Sequence, residues 1–127
     1  MKARELRIGN KLQKDNGEIF TVLRLDQTKD ILVEEQRGLL TLDYNLFGIP
    51  LTEEWLLKLG AKYINYKENQ DYYQIPTKLL PLNITPRLKN KVDFGFGFLR
   101  YCEYVHQLQN LYFTLTGEEL TIKPDQL

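Results

Sequence analysis

Cysteine and histidine are nearly absent from this chain: of its 127 residues, one is Cys102 and one is His106. A single cysteine excludes an intramolecular disulfide, and two side chains supply only half of the four ligands that a structural zinc site needs. Long apolar runs are also lacking, since no segment approaches a membrane span and no apolar segment follows the basic N-terminus. We therefore expect a cytoplasmic protein with no metal, no cofactor and no membrane partner.

An excess of charge of one sign is lacking too. The chain has 17 Lys and Arg against 17 Asp and Glu, and its formal net charge is zero. This balance excludes the uniformly basic surface of a histone-like protein. The charges are unevenly distributed, however, because residues 1–16 carry +3, residues 26–54 carry −5 and residues 78–100 carry +4. A local basic patch is therefore not excluded.

The composition is that of one globular domain, with 43% hydrophobic and 27% charged residues. The residue patterns predict an α+β fold. Residues 1–50 are predicted to form an SH3-like small β-barrel built from a meander. Residues 51–127 are predicted to add a short central helix, a second irregular antiparallel sheet and a C-terminal amphipathic helix. The two parts are expected to share a core in one compact domain.

The first fifty residues alternate short apolar segments with turn residues. Asn16-Gly17 accepts the positive φ of a type I′ turn, and further polar turns are predicted at residues 27–30 and 37–38. Four or five short strands at this spacing are typical of a small barrel. The predicted strands span residues 11–14, 18–25, 31–35 and 39–42.

The segment from Pro50 to Gly60 predicts a two-turn helix. Thr52 can cap its N-terminus, two glutamates follow in the first turn, and Gly60 can adopt the left-handed conformation after its end. Leu51 and Leu56 have the spacing of a hydrophobic staple. Trp55, beside apolar neighbours, is interpreted as a core residue in preference to a binding aromatic.

A second group of strands is expected from residue 61 to residue 101. Two of them are predicted at residues 62–66 and 72–75. Pro81 and Pro86 favour edge strands or loops over a central strand, because proline cannot donate to a sheet.

Residues 92–101 are predicted as one extended strand. Alternation would place Phe94, Phe96 and Phe98 on one face and leave glycines on the other. The bare face would accept close packing by a helix or a ligand.

A C-terminal helix is predicted from an apolar seam at helical spacing, ending near Gly117. Residues 119–123 are expected to add a terminal strand. The seam contains Tyr101, Tyr104, Leu108, Leu111 and Leu115. The far side of the helix would carry Cys102, His106, Gln109, Asn110 and Phe113.

Three stretches carry a resemblance to a known family: Glu5-Leu6-Arg7-Ile8-Gly9-Asn10, residues 49–56 with the sequence IPLTEEWL, and residues 104–113 with the sequence YVHQLQNLYF followed by TGEEL at 116–120. The chain resembles a family of uncharacterised small proteins from gut anaerobes and from their prophages and conjugative elements. The resemblance covers about a quarter of the chain. It implies a mobile-element setting and nothing about catalysis.

Catalysis finds little support in the residues. Cys102 and His106 are spaced i and i+4, which permits a nucleophile and base on one helical face, but no oxyanion loop adjoins them. Gly95-Phe96-Gly97 lacks the Lys and Ser or Thr of a phosphate loop. Glu34 and Glu35 would point to opposite faces of a strand and so would not share a metal. We expect no enzyme, with a Cys/His enzyme as a distant alternative.

Two binding hypotheses are left. The first is a protein-binding module, an accessory protein of a phage or mobile element, whose interaction face on the last helix comprises His106, Gln109, Asn110 and Phe113. The same face could instead be buried, with its side chains satisfying backbone groups. Self-association through it is a variant of this hypothesis.

The second hypothesis is a nucleic-acid-binding module. If the basic segments met beside the aromatic residues, they would have the composition that single-strand binding uses. The opposing interpretation places the phenylalanines in the core and the lysines on a solvated surface. The residues of the candidate patch are Lys11, Lys14, Arg87, Lys89, Lys91 and Arg100.

Overall fold

Two antiparallel sheets, two α-helices and a short 3-10 helix (Pro86–Leu88) form the fold of this computed structural model. The structure describes residues 6–14, 17–25, 31–35, 38–41, 46–68, 70–95 and 97–123. The predicted α+β class is confirmed. The first sheet has the strand order β4-β3-β2-β1-β5. Its strands are β1 (Lys11–Lys14), β2 (Ile19–Leu25), β3 (Ile31–Glu35), β4 (Gly38–Thr41) and β5 (Leu46–Gly48).

The first sheet is a meander whose last strand returns to pair with its first. Leu12 of β1 lies between Phe20 of β2 and Gly48 of β5. Leu12, Phe20 and Val22 are buried, whereas Ile19 is exposed, so one face of the sheet is covered. In the described part of the chain, β4 and β5 are the two edge strands of this sheet and do not pair with each other. The predicted closed barrel is therefore not confirmed. The turns expected at residues 15–16, 27–30 and 37 lie outside the described residues.

Helix α1 (Glu53–Lys58) follows the predicted capping pattern. Thr52 is its N-cap, with Oγ1 accepting a hydrogen bond of 3.3 Å from the Trp55 N–H. Gly60 adopts φ +92° after the helix end. Leu51 and Leu56 are both buried, and Trp55 is only 8% exposed, which confirms its assignment to the core.

The second sheet is also a meander, in the order β10-β9-β8-β7-β6. Its strands are β6 (Lys62–Asn65), β7 (Asp71–Ile75), β8 (Leu82–Thr85), β9 (Lys91–Phe94) and β10 (Gly97–Tyr101). The expectation that Pro81 and Pro86 favour edge strands or loops over a central strand is wrong, because β8 is the middle strand of this sheet. The prolines lie just outside β8, and its own four residues all keep the N–H that a central position needs.

The single strand expected over residues 92–101 is a hairpin. Gly95 adopts φ +62°, and Phe94 pairs with Gly97 across the turn. Phe94 consequently packs against the core, while Phe98 is exposed on the next strand. Phe96 lies outside the described residues. The left-handed conformation of Gly95 reverses the direction of the chain. The alternating pattern of residues 92–101 had predicted one continuous strand through this position.

Helix α2 (Val105–Thr116) ends at Gly117, with φ +75°. The predicted seam is right for Leu108, which is buried in the core, and for Leu111 and Leu115, which pack against it. It is wrong for Tyr101, which belongs to β10 and is 54% exposed. The inner face of the second sheet, α1 and α2 enclose the main core. Its buried residues are Ile49, Leu51, Trp55, Leu56, Leu59, Ala61, Tyr73, Ile75, Leu82, Ile84, Val92, Cys102, Val105, Leu108, Tyr112 and Leu120.

The segment after α2 does not form the strand predicted over residues 119–123. Leu120 is buried in the core, and the Lys123 N–H donates to the Lys58 carbonyl at 2.9 Å. This hydrogen bond attaches the segment to the end of α1. Residues 49–51 similarly pair with residues 103–105, so the connection between the sheets is fixed beside the start of α2.

Candidate functional site

One face of α2 packs against the first sheet and the loop that precedes it. We call this the junction face; its residues are His106, Gln109, Asn110 and Phe113, with Arg7, Asn10 and Lys11 opposite. His106 is 2% exposed and Gln109 is 1% exposed. The His106 ring stacks on Tyr104 with ring centroids 5.7 Å apart. Two of the four predicted interaction residues are therefore buried within the chain.

Gln109 joins α2 to two other segments, residues 9–11 and the segment that contains Leu120. Its Oε1 accepts from the Lys11 backbone N–H at 2.9 Å, which ties α2 to β1. Its Nε2 donates to the carbonyls of Gly9 and Leu120 at 3.2 and 3.1 Å. Because the amide is buried and has both donors and its acceptor engaged, its role is structural.

Asn110 and Phe113 extend the junction face toward solvent. Asn110 Oδ1 accepts from Asn10 Nδ2 at 2.8 Å and from an Arg7 guanidinium N–H at 3.3 Å. The Arg7 guanidinium carbon lies 3.7 Å from the centroid of the Phe113 ring, and Arg7 also forms an ion pair with Glu119. Phe113, 37% exposed, is thus partly covered by a cation of the same chain.

The six residues of the predicted basic patch lie on two different sheets. Lys11 and Lys14 belong to β1, where Lys11 Nζ donates to Thr21 Oγ1 at 2.6 Å. The other four lie in or between the strands of the second sheet: Arg87 and Lys89 in the β8–β9 turn, Lys91 in β9 and Arg100 in β10. The second sheet thus carries four of the six.

The side of the second sheet turned away from the helices is its outer face. Strand alternation assigns residues to it, because Tyr73, Ile75, Leu82, Ile84 and Val92 point into the core. Gln74 and Asn83 on this face share a hydrogen bond of 3.2 Å. The outer face comprises Lys62, Ile64, Tyr72, Gln74, Asn83, Thr85, Lys91, Asp93, Phe98 and Tyr101.

An irregularity in β10 brings two aromatic side chains together on this face. Phe98 pairs with Asp93 and Arg100 pairs with Val92, so Leu99 is an extra residue, a β-bulge. Without the bulge, Phe98 and Tyr101 would point to opposite faces. With it, their ring centroids lie 5.3 Å apart.

The aromatic pair is exposed and adjacent to a cation. Phe98 is 53% exposed and Tyr101 is 54% exposed. Lys91 Nζ lies 5.7 Å from the Phe98 ring centroid and 3.9 Å from Asp93 Oδ1. The sequence did not indicate Phe98 as an exposed partner of Tyr101, because the turn at Gly95 and the bulge at Leu99 together determine where its ring points.

The residues considered for catalysis are placed in the core. Cys102 is fully buried, and desolvation raises the pKa of its thiol to about 11, which makes the nucleophilic thiolate scarce at neutral pH. Within the described ranges, no three His, Cys, Asp or Glu side chains are grouped as metal ligands. No helix in the described part of the chain is long and apolar enough to cross a membrane.

Comparisons of the chain with protein-family models, with curated proteins and with solved structures give no match.

Proposed function

We propose that this protein is a non-enzymatic binding module, an accessory protein of a phage or mobile element, that binds single-stranded nucleic acid on the outer face of its second sheet. The observation that carries the proposal is the exposed Phe98–Tyr101 pair beside Lys91. Aromatic rings on an exposed surface provide stacking platforms for unpaired bases, and each stacked base contributes about 1–3 kcal/mol.

The charge of the second sheet supports a polyanionic ligand. Residues 62–101 contain seven Lys or Arg and three Asp or Glu, a net charge of +4 in a chain whose total is zero. Arg87 and Lys89 of the β8–β9 turn are exposed. Phosphate contacts by such side chains supply the sequence-independent part of binding.

A protein partner is the competing proposal, and the junction face was its predicted surface. His106 and Gln109 are buried there, and Asn110 and Phe113 are engaged by Arg7. A partner would have to displace these contacts. We therefore favour the outer face and nucleic acid.

We further propose that the first sheet belongs to the SH3-like barrel type. The return of β5 to pair with β1 after the meander β1-β2-β3-β4 supports it. In this proposal the first sheet supports α2 through the junction face and leaves ligand binding to the second sheet.

The test measures fluorescence anisotropy of a labelled oligothymidylate of roughly a dozen nucleotides. We expect binding at about 50 mM salt that weakens steeply at about 200 mM. A duplex of the same length should bind more weakly, because its bases are not free to stack. The double variant Phe98→Ser, Tyr101→Ser should lose at least tenfold in affinity.

Phe47→Ser is the matched control, since Phe47 is 49% exposed but lies in β5 of the first sheet. It should leave the affinity unchanged. Absence of binding to the single strand at low salt would refute the proposal. Co-purification of one stoichiometric protein partner, lost on Phe98→Ser, would instead establish protein binding at the same face.

A further inference from the structure

A cavity of about 360 Å³ lies at one end of the outer face, between the β6–β7 loop and the β8–β9 turn. Small-ligand sites have volumes of about 300–1,000 Å³, so the cavity has room for one small planar group. Its lining residues are Tyr66, Gln70, Asp71, Tyr72, Thr85, Arg87 and Leu88.

The cavity and the aromatic pair belong to the same surface. Thr85 in the cavity lining pairs with Lys91 of β9, and Lys91 pairs with Tyr101 of β10. Directly paired residues share a face and neighbouring strands are about 4.8 Å apart, so the cavity floor and Tyr101 are separated by about 10 Å. A ligand that stacks on the aromatic pair can therefore extend into the cavity.

The cavity is open to solvent, has mostly apolar walls, and reaches round the end of β7 to the carboxylate of Asp71, which strand alternation places on the opposite side of β7 from Tyr72. Tyr66 is 69% exposed and Leu88 is 43% exposed, whereas Thr85 is 8% exposed and forms the floor. The Tyr63 hydroxyl donates to Asp71 Oδ2 at 3.2 Å, and Arg87 Nε lies 3.5 Å from Asp71 Oδ1. These contacts orient the carboxylate, whose oxygens have further lone pairs to accept from a ligand.

The turn beside the cavity is held in an uncommon conformation. Lys89 and Asn90 have φ values of +58° and +57°, which few residues other than glycine adopt. Asn90 is fixed by its side-chain hydrogen bond to the Leu51 carbonyl at 3.0 Å and by the Cys102 N–H, which donates to its carbonyl at 3.0 Å. The fixed turn leaves Arg87 and Lys89 exposed beside the cavity, where a phosphate would be.

We propose that this cavity receives one base of the bound strand, a base with an exocyclic amino group, whose amino hydrogens are accepted by Asp71. This inference rests on the function proposed above. Adenine, cytosine and guanine carry such a group and thymine does not. Tyr66 stacks on the base, and Arg87 and Lys89 contact its phosphate.

The first experiment uses an oligothymidylate with one central 2-aminopurine, a fluorescent base with an exocyclic amine that is quenched on stacking. Wild-type protein should quench it on binding. Tyr66→Ser should abolish the quenching and weaken binding roughly tenfold, the loss typical of one stacking aromatic. Tyr66→Phe, which keeps the ring, should restore both.

Two controls separate local from general effects. Lys89→Gln should weaken binding and make the plot of log K against log salt less steep, with the magnitude of its negative slope smaller by about one. Lys78→Gln removes the same charge from an exposed lysine in the β7–β8 loop, at the opposite end of the strands, and should do neither.

The second experiment tests the recognition of the amino group. Replacing one central thymine by cytosine should tighten wild-type binding about fivefold, the contribution of one hydrogen bond. Asp71→Leu, which has about the same size and no acceptor, should remove that preference while binding of the all-thymine strand persists.

The two proposals fail differently. If wild-type protein does not bind any of these strands, the proposed function is overturned and the base site with it. If the strands bind but Tyr66→Ser leaves the quenching unchanged, or the cytosine gives no preference, only the base site is overturned.

Discussion

The junction face and the outer face have similar compositions and opposite exposures. Each combines amides with a cation close to an aromatic ring: Arg7 lies 3.7 Å from the Phe113 ring, and Lys91 lies 5.7 Å from the Phe98 ring. On the junction face, Gln109 and Asn110 bind groups of the same chain. On the outer face, Phe98 and Tyr101 are more than half exposed.

Composition alone does not distinguish a surface that is covered within the chain from one that is exposed. What distinguishes them is whether another element of the chain packs against the surface. The first sheet and its preceding loop cover the junction face, so its polar groups have partners within the chain. No element of the described chain covers the aromatic pair, so its rings are accessible to solvent. Variants of the two faces should therefore affect different quantities, stability for one and binding for the other.

The largest stability effect is expected from Gln109→Leu. The change leaves the Lys11 N–H and the carbonyls of Gly9 and Leu120 buried without their present partner, and should lower the free energy of unfolding by about 3 kcal/mol. Urea denaturation followed by circular dichroism measures it. Gln70→Leu, the same change at an exposed position, should stay within about 0.5 kcal/mol of wild type. Equal losses would contradict a structural role for Gln109.

Gly48→Ala should have the next largest effect. A Cβ at residue 48 would lie 2.7 Å from Tyr104 Cγ and 3.1 Å from His106 Cε1, so the stacked rings would have to move. Overpacking of this kind costs about 2 kcal/mol. Thermal and urea unfolding should both detect it, while oligonucleotide affinity measured below the transition stays unchanged. Full stability in this variant would show that the junction is loosely packed.

A smaller effect is expected from Arg7→Met. The variant loses the cation above Phe113 and the bonds to Asn110 and Glu119, which should lower stability by about 1 kcal/mol, with less loss at high salt. Lys91→Met makes the matched change on the outer face. It should leave stability within about 0.5 kcal/mol and weaken oligonucleotide binding. The reverse pattern would exchange the roles assigned to the two faces.

The rate at which the buried Cys102 thiol reacts with a reagent should not change in variants of the outer face. Burial raises the pKa of its thiol to about 11, above the value of about 8.5 expected in the unfolded chain, so a thiol reagent at pH 8 should react with native protein very slowly. Gln109→Leu should speed the reaction through unfolding, and Phe98→Ser should not.

The same shift gives a pH dependence with a definite sign. The unfolded chain releases the thiol proton first, so stability is kept below about pH 8.5 and falls as pH rises toward 11. The phenols of Tyr63, Tyr73 and Tyr104, whose pKa values are also raised, act in the same direction. Cys102→Ala should therefore flatten the fall only in part, as measured by urea midpoints across this range.

The sequence predicted the parts of the fold that depend on local patterns. The α+β class, the capped helix α1 with Trp55 in the core, and the strands β1 to β3 follow from capping residues and alternation. The central position of β8 did not follow, because flanking prolines are compatible with a short strand between them.

The site was less predictable than the fold. The spacing of His106, Gln109 and Asn110 placed them near one another on a helix, but their burial depends on Arg7, Asn10 and Lys11, about a hundred residues away. The Phe98–Tyr101 pair depends on a one-residue bulge that has no sequence pattern. Long-range packing and local irregularity are the two kinds of information that a periodicity analysis lacks.

The bulge at Leu99 has a consequence for solubility. β10 is an edge strand whose five residues are all exposed, and a straight apolar edge is a template on which strands of other molecules can add. One extra residue disturbs the regular spacing of the outward N–H and C=O groups and bends the strand. We expect the bulge to block growth of the sheet by further copies, so that the chain can display two aromatic rings to water without polymerising through the strand that bears them.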